Sequence, residues 1–245
     1  MTPPVGDISA ALAYQVKKEI AENYFGSRKA LEEERDDLLR QEKLLKKAWE
    51  QEVLPILISL YLLFIREEEG RAFLDLIKRK DLIESIKHNL KDRGINFVPQ
   101  TCSLPFTLTS KGKYKKLIFT LYQLASANGE TLGDEFQALQ KKMSLFNEEL
   151  NNFTTRYNLS DILSLIHSFE NRDDLKGVLG ENTDPRAIPL LEEKLMLRPI
   201  EISREGEEFL RPLPPIKEIQ KPLNLLIDLT FQGHCPEIKK MLASY

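Results

Sequence analysis

A short run of lysines at residues 110–116 has the clearest potential for chemistry in this chain. No acid interrupts the run, and it lies where a loop is predicted to enter a helix. The unpaired N–H groups of a helix N-terminus already favour an anion, and lysines add to that preference. The cluster predicts a contact with a phosphate, a nucleotide or single-stranded nucleic acid, and the alternative is a solvated loop that binds nothing. The candidate ligand-binding residues are Lys111, Lys113, Lys115 and Lys116.

Histidine and cysteine, the residues that most often act as bases, nucleophiles and metal ligands, are few and scattered. Glu84 and His88 are four residues apart and share a helix face, but they lack the further acids of a di-metal helical bundle. Cys235 follows His234 at a predicted helix start, a place that lowers the pKa of a thiol. A surface ion pair and a capping cysteine are the simpler interpretations. We therefore predict no catalytic residue, no metal and no cofactor.

Sequence motifs of the common enzyme classes are missing from the chain. It contains no glycine-rich dinucleotide or phosphate-binding loop, no Gly-x-Ser-x-Gly and no His-Glu-x-x-His. The net charge is −3 and the charges are spread evenly, so no segment attracts nucleic acid by bulk charge. The sequence thus favours a non-catalytic protein over an enzyme and makes a nucleic-acid partner the weakest hypothesis.

A charged helix predicted at residues 28–52 is the first candidate for a protein-interaction surface. Leu31, Leu38 and Leu45 recur every seven residues along it, and the chain's only tryptophan, Trp49, follows. Such a repeat is typical of a coiled coil, which would make the protein a homodimer. The alternative is that the same residues pack within their own domain. The candidate interface residues are Leu38, Leu45 and Trp49.

Four helices are predicted in residues 1–95. The first begins at Asp7, places an apolar row on one face and ends at Gly26-Ser27. The charged helix follows, and Pro55 marks either the start of a new helix or a kink in a long one. Residues 55–65 are apolar nearly all round and predict a buried central helix, before a last helix at 71–92. The apolar row of the first helix is Ile8, Leu12, Val16, Ile20 and Tyr24.

Residues 95–112 form a predicted extended connection with at most a short β-ribbon, and the first domain is predicted to end at residue 95. Residues 96–245 read as a second helical region. Its first half is predicted to contain a helix ending at Asn128-Gly129, a helix at 133–154 and a short helix capped by Ser160. A further helix is predicted from Asp184-Pro185 to about Leu197. A proline-rich extended segment at 198–222 follows, with a short strand at Ile200–Ser203, and Pro222 opens the next helix.

Composition supports a mainly α fold. Hydrophobic residues make up 42% of the chain and charged residues 30%, a balance that suits a globular protein, and 11 glycines are few for a long all-β fold. Two cysteines and an N-terminus without a signal-peptide pattern predict a cytoplasmic protein. The longest apolar run, at 53–65, is shorter than the ~20 residues of a membrane span.

These observations favour a mainly α, multi-helical fold, with an N-terminal antiparallel bundle at 1–95 and a second helical region at 96–245. By elimination, the predicted function is that of a non-catalytic interaction or scaffold protein, with helix 28–52 or segment 198–222 as its surface. The alternatives are an anion- or nucleotide-binding protein or enzyme with a pocket between the two helical halves, and a nucleic-acid-binding regulator.

Overall fold

The computed structural model describes residues 5–64, 67–92, 111–168, 195–202 and 210–232. These ranges contain helices and no strand, so the predicted mainly α fold is confirmed. Residues 95–110 of the connection predicted at 95–112, the predicted domain boundary at residue 95 and the predicted helix start at Asp184-Pro185 lie outside them. The last two residues of that connection, Lys111 and Gly112, are helical, so the prediction is wrong for them. The helices are α1 (Val5–Ala48), α2 (Leu54–Leu63), α3 (Glu67–Leu76), α4 (Leu82–Asp92), α5 (Lys111–Arg156), α6 (Leu159–His167) and α7 (Ile216–Gln232).

Two long helices run through glycines that were predicted to end them. α1 continues through Gly26 and α5 continues through Gly129, so both predicted helix ends are wrong. A glycine in a helix interior costs only about 1 kcal/mol relative to alanine, which packing on either side can offset. In α5, buried positions keep a spacing of three or four on both sides of Gly129, at Tyr122, Ala125, Leu132 and Phe136.

Pro55 is accommodated by a single widened turn. A π-helical turn, Trp49–Val53, joins α1 to α2, and the N–H of Leu54 donates to the carbonyl of Trp49, five residues earlier. Proline has no N–H to donate, and its ring would clash with the carbonyl four residues before it in a regular α-helix. The wider turn relieves that conflict. Pro55 thus lies in the first turn of α2, as one of its two interpretations has it, and the π-turn connects α2 to α1 without a gap.

A reversal of the chain splits the helix predicted at 71–92 into α3 and α4. Lys78 has a positive φ of 57°, the left-handed conformation that ends many helices. The N–H of Lys78 donates to the carbonyl of Asp75 (3.0 Å), and the N–H of Arg79 donates to that of Leu74 (2.7 Å). This pair of bonds is the Schellman motif, which more often has glycine where Lys78 stands.

The chain divides into two compact units. The first consists of Met1–Glu42 and Leu139–Ile202, and the second of Lys43–Ala138 and Ser203–Tyr245. Two of the three points of division fall inside helices, one in α1 and one in α5, and the third follows Ile202. Each unit combines residues from before and after residue 95, and the domain boundary proposed there stays a prediction.

The core of the second unit is built around α2. Its side chains are buried on most sides, as predicted for an apolar helix, and Leu57 and Leu60 have no exposed surface. α3 packs against α2, and a glycine makes the approach close: a Cβ added at Gly70 would lie 2.7 Å from a ring carbon of Tyr61. Side chains from α3, α4, α5 and α7 complete the core, including Phe73, Ile86 and Leu223.

The core of the first unit is aromatic. The Tyr24 ring of α1 stacks on that of Phe153 from α5, with 5.3 Å between centroids, and meets the Tyr157 ring edge-on. Ile162 and Ile166 of α6 pack beside them. Residues 196–202 have no regular secondary structure, so the strand predicted from Ile200 is wrong for the part of it that the structure describes.

α7 begins earlier than predicted. It starts at Ile216, and Pro222 lies inside it instead of opening it. Pro222 removes one backbone hydrogen bond from the helix. Burial of Leu223, Leu226 and Ile227, which follow Pro222 on the apolar face of α7, stabilises the helix and offsets that loss. None of the helices that the structure describes is long and apolar enough to cross a membrane.

Candidate functional site

The predicted lysine site lies on the first two turns of α5, in the second unit. Two of its four lysines converge on one carboxylate of α7: the Nζ atoms of Lys115 and Lys111 lie 2.6 and 3.3 Å from Oδ1 of Asp228. Burial by itself would raise the pKa of Asp228, but hydrogen bonds from Lys115 and Lys111 outweigh it and hold the pKa below its ordinary value. Asp228 thus occupies, from within the chain, the place that an anion would take between these two lysines.

The remaining residues of the lysine run point in different directions. Lys113 and Lys116 are exposed. Tyr114 is buried between them, and its hydroxyl donates to the carbonyl of Leu63, near the end of α2. Burial, with Glu69 nearby, raises the pKa of Tyr114, so its hydroxyl stays protonated as a donor. The run therefore anchors α5 to its own unit, with two lysines left on the surface.

The predicted interface residues are covered by their own chain. Leu38 is 4% exposed and Trp49 is 2% exposed, while Leu45 is partly buried against the core of the second unit. Leu31 is buried as well. This burial within a single chain agrees with the alternative interpretation of the seven-residue repeat, in which its residues pack within their own domain.

A second heptad-like repeat, in addition to the three leucines of α1, lies in α5. In α5 the inward positions keep an alternating spacing of three and four over more than four turns. The apolar face predicted for the helix at 133–154 is therefore buried as its spacing indicates, and it extends back to Leu132. The buried members in α5 are Leu132, Phe136, Leu139, Met143, Phe146 and Leu150.

Arg79 is a buried residue that connects several parts of the chain, and its neighbours in the sequence gave no indication of this. It is 1% exposed, and its guanidinium lies 5.9 Å from the centre of the Trp49 ring. The same group bonds to the carboxylate of Asp81 and donates to the carbonyl of Arg211 at 3.0 Å. Because Lys78 and Lys80 flank it in sequence, Arg79 reads as part of a solvated basic turn. A charge buried in this way needs several partners, and the structure supplies them.

The proline-rich segment at 198–222, the second predicted interaction surface, is held within the chain where the structure describes it, with 198–202 in the first unit and 210–222 in the second. Arg79 holds the carbonyl of Arg211, and the Tyr122 hydroxyl donates to that of Pro214. Leu210 and Leu213 are buried. A proline-rich ligand presents its backbone and side chains to a partner. Here these carbonyl groups accept hydrogen bonds from the chain itself, and these leucine side chains are buried in it.

An exposed apolar row lies on the first turns of α1, in the first unit. Over residues 9–20 every side chain is exposed except that of Lys18, which is half-buried. Leu12, Val16 and Ile20 retain 63%, 47% and 41% of their surface and follow one another at intervals of four, on one side of the helix. We call these three residues the α1 row. They belong to the face predicted from the sequence, and of the four members whose side chains the structure describes, Tyr24 alone is buried.

Metal and nucleophile chemistry finds no support in the described ranges. Within them, no three His, Cys, Asp or Glu residues are grouped as a metal site would require. Glu84 forms its ion pair with Lys87, at 3.2 Å. Cys102, His234 and Cys235 lie outside the described residues.

Comparison with known proteins gives no family. Neither the protein-family models nor the curated proteins nor the solved structures include a match to this chain.

Proposed function

We propose that this chain is a non-catalytic helical interaction protein that binds an amphipathic helix of a different protein along the α1 row. The observation that carries the proposal is the exposure of Leu12, Val16 and Ile20 on a helix segment that the described parts of the chain leave uncovered on nearly all sides. Helices in proteins owe most of their stability to the packing of an apolar face. A partner would supply that packing to residues 9–20.

The spacing of the row supports a helix as the occupant. Side chains at i, i+4 and i+8 form a ridge that fits the groove of a facing helix. The row also leads directly into Tyr24, which packs against Phe153 and Tyr157 near the end of α5. A partner helix on the row would extend this helix-on-helix packing by about two turns.

The size of the row argues for a different protein over a second copy. Two copies joined only through this row would bury on the order of 600 Å², about half the ~1,200 Å² at the lower end for stable interfaces. A different protein is not restricted by two-fold symmetry. It can continue from the row onto the charged, exposed side of α1 at residues 28–42 of the same unit, which is part of the helix 28–52 favoured from the sequence.

Site-specific crosslinking tests the proposal. A photo-crosslinking amino acid is placed at Val16 and, as a matched control, at Ala11, which is also exposed but projects from another side of α1. After irradiation in cells, we expect one heterologous adduct from position 16 and none from position 11. A synthetic helix from the crosslinked region should then bind the purified chain, and Val16→Asp should weaken that binding at least about tenfold.

Three results would overturn the proposal. They are equal crosslinking from both positions, an adduct with the mass of two copies of this chain, and a captured helix that binds Val16→Asp as well as the unaltered chain. Val16 is exposed, so Val16→Asp should keep its thermal unfolding midpoint, which separates lost binding from lost folding.

A further inference from the structure

We draw no further inference here: the strongest candidate, the lysine cluster on the first turns of α5 with Asp228 of α7 beside it, is a helix N-terminus at which the described residues hold nothing that points to a ligand.

Discussion

The side-chain amide of Asn147 pairs with both backbone polar groups of Ile200. Its Nδ2 donates to the Ile200 carbonyl at 2.9 Å, and its Oδ1 accepts from the Ile200 N–H at 2.8 Å. Arg28 holds the same segment at another point, since its Nε donates to the carbonyl of Leu195 at 3.2 Å. Residues 195–202 therefore obtain from side chains of α1 and α5 some of the backbone hydrogen bonds that regular secondary structure would otherwise provide.

Asn147→Asp should release this segment. A carboxylate cannot donate to the Ile200 carbonyl, and an unsatisfied buried carbonyl costs about 1–3 kcal/mol. The carboxylate would also repel the Ile200 carbonyl oxygen and so disrupt the geometry in which its other oxygen accepts from the Ile200 N–H. We therefore expect faster hydrogen exchange at the Ile200 amide and a lower free energy of unfolding. Asn151→Asp, at an exposed position of the same helix, is the control and should change neither. Unchanged exchange at Ile200 in Asn147→Asp would show that the pairing does not hold the segment.

Gly70→Ala should destabilise the second unit because the new methyl group would meet the Tyr61 ring at 2.7 Å. Overpacking of this kind costs about 1–3 kcal/mol. In Gly129→Ala the added Cβ meets nothing within 4 Å, so that variant should be more stable by about 0.5–1 kcal/mol through helix propensity alone. Urea unfolding followed by the fluorescence of buried Trp49 measures both. The same sign in the two variants would contradict the close approach of α3 to Tyr61.

Lys78→Gly should raise stability. Lys78 has a φ of 57°, a conformation that costs a residue with a Cβ roughly 1–2 kcal/mol and costs glycine almost nothing. After the larger entropy of unfolded glycine is deducted, we expect a gain of about 0.5–1 kcal/mol by urea unfolding. Lys80→Gly, two residues away and without positive φ, is the control and should give no gain. A loss of stability in Lys78→Gly would contradict the left-handed helix end.

Asp228→Asn should lower stability at neutral pH and lose that effect in acid. Burial opposes the charged form of Asp228, but the lysine hydrogen bonds leave its pKa below the ordinary value of 3.8. A lowered folded-state pKa stabilises the protein above the unfolded pKa, and the stabilisation is lost as pH falls through the folded value. Urea midpoints at a series of pH values should therefore differ between the variant and the unaltered chain near pH 7, begin to approach each other as pH falls below 3.8, and meet only below the folded-state pKa. Asp134→Asn, at an exposed position of α5, should show no such separation.

Leu38→Ala should destabilise the folded chain itself. Leu38 is 4% exposed within one chain, and truncation of a buried leucine costs about 2–5 kcal/mol. Leu12→Ala, at the exposed row, should stay within about 0.5 kcal/mol. Circular dichroism on heating measures both, and sedimentation gives the mass in solution. A dimer that dissociates in Leu38→Ala with unchanged stability would restore the coiled-coil hypothesis.

Periodicity predicted the parts of the fold whose residues signal their burial locally. The apolar run of α2 and the inward face of α5 around Phe136 and Phe146 are buried as their spacing indicates. Helix ends were less predictable, because the cost of a glycine such as Gly26 or Gly129 is small compared with the packing of a long helix. Lys78, which does end a helix, carries no residue-type signal at all.

The candidate site was harder to predict from the sequence, because its lysines pair with a residue that is far away in the chain. Lys111 and Lys115 lie more than a hundred residues from Asp228 in the chain, so their pairing leaves no local pattern. The same applies to Arg79 and the carbonyl of Arg211. Conversely, the apolar spacing of Leu12 and Val16 indicates a face to be covered but does not say whether this chain covers it.

The division of the two units within α1 and α5 has a consequence for the order of events on the ribosome. The residues of the first unit at Met1–Glu42 emerge early, yet their partners at Leu139–Ile202 follow only after about a hundred more residues. At roughly 5–20 residues per second, that interval lasts several seconds or more. Throughout it, Tyr24 lacks Phe153 and Tyr157, the rings that pack against it in the folded unit, so this part of α1 stays exposed to solvent until they are made.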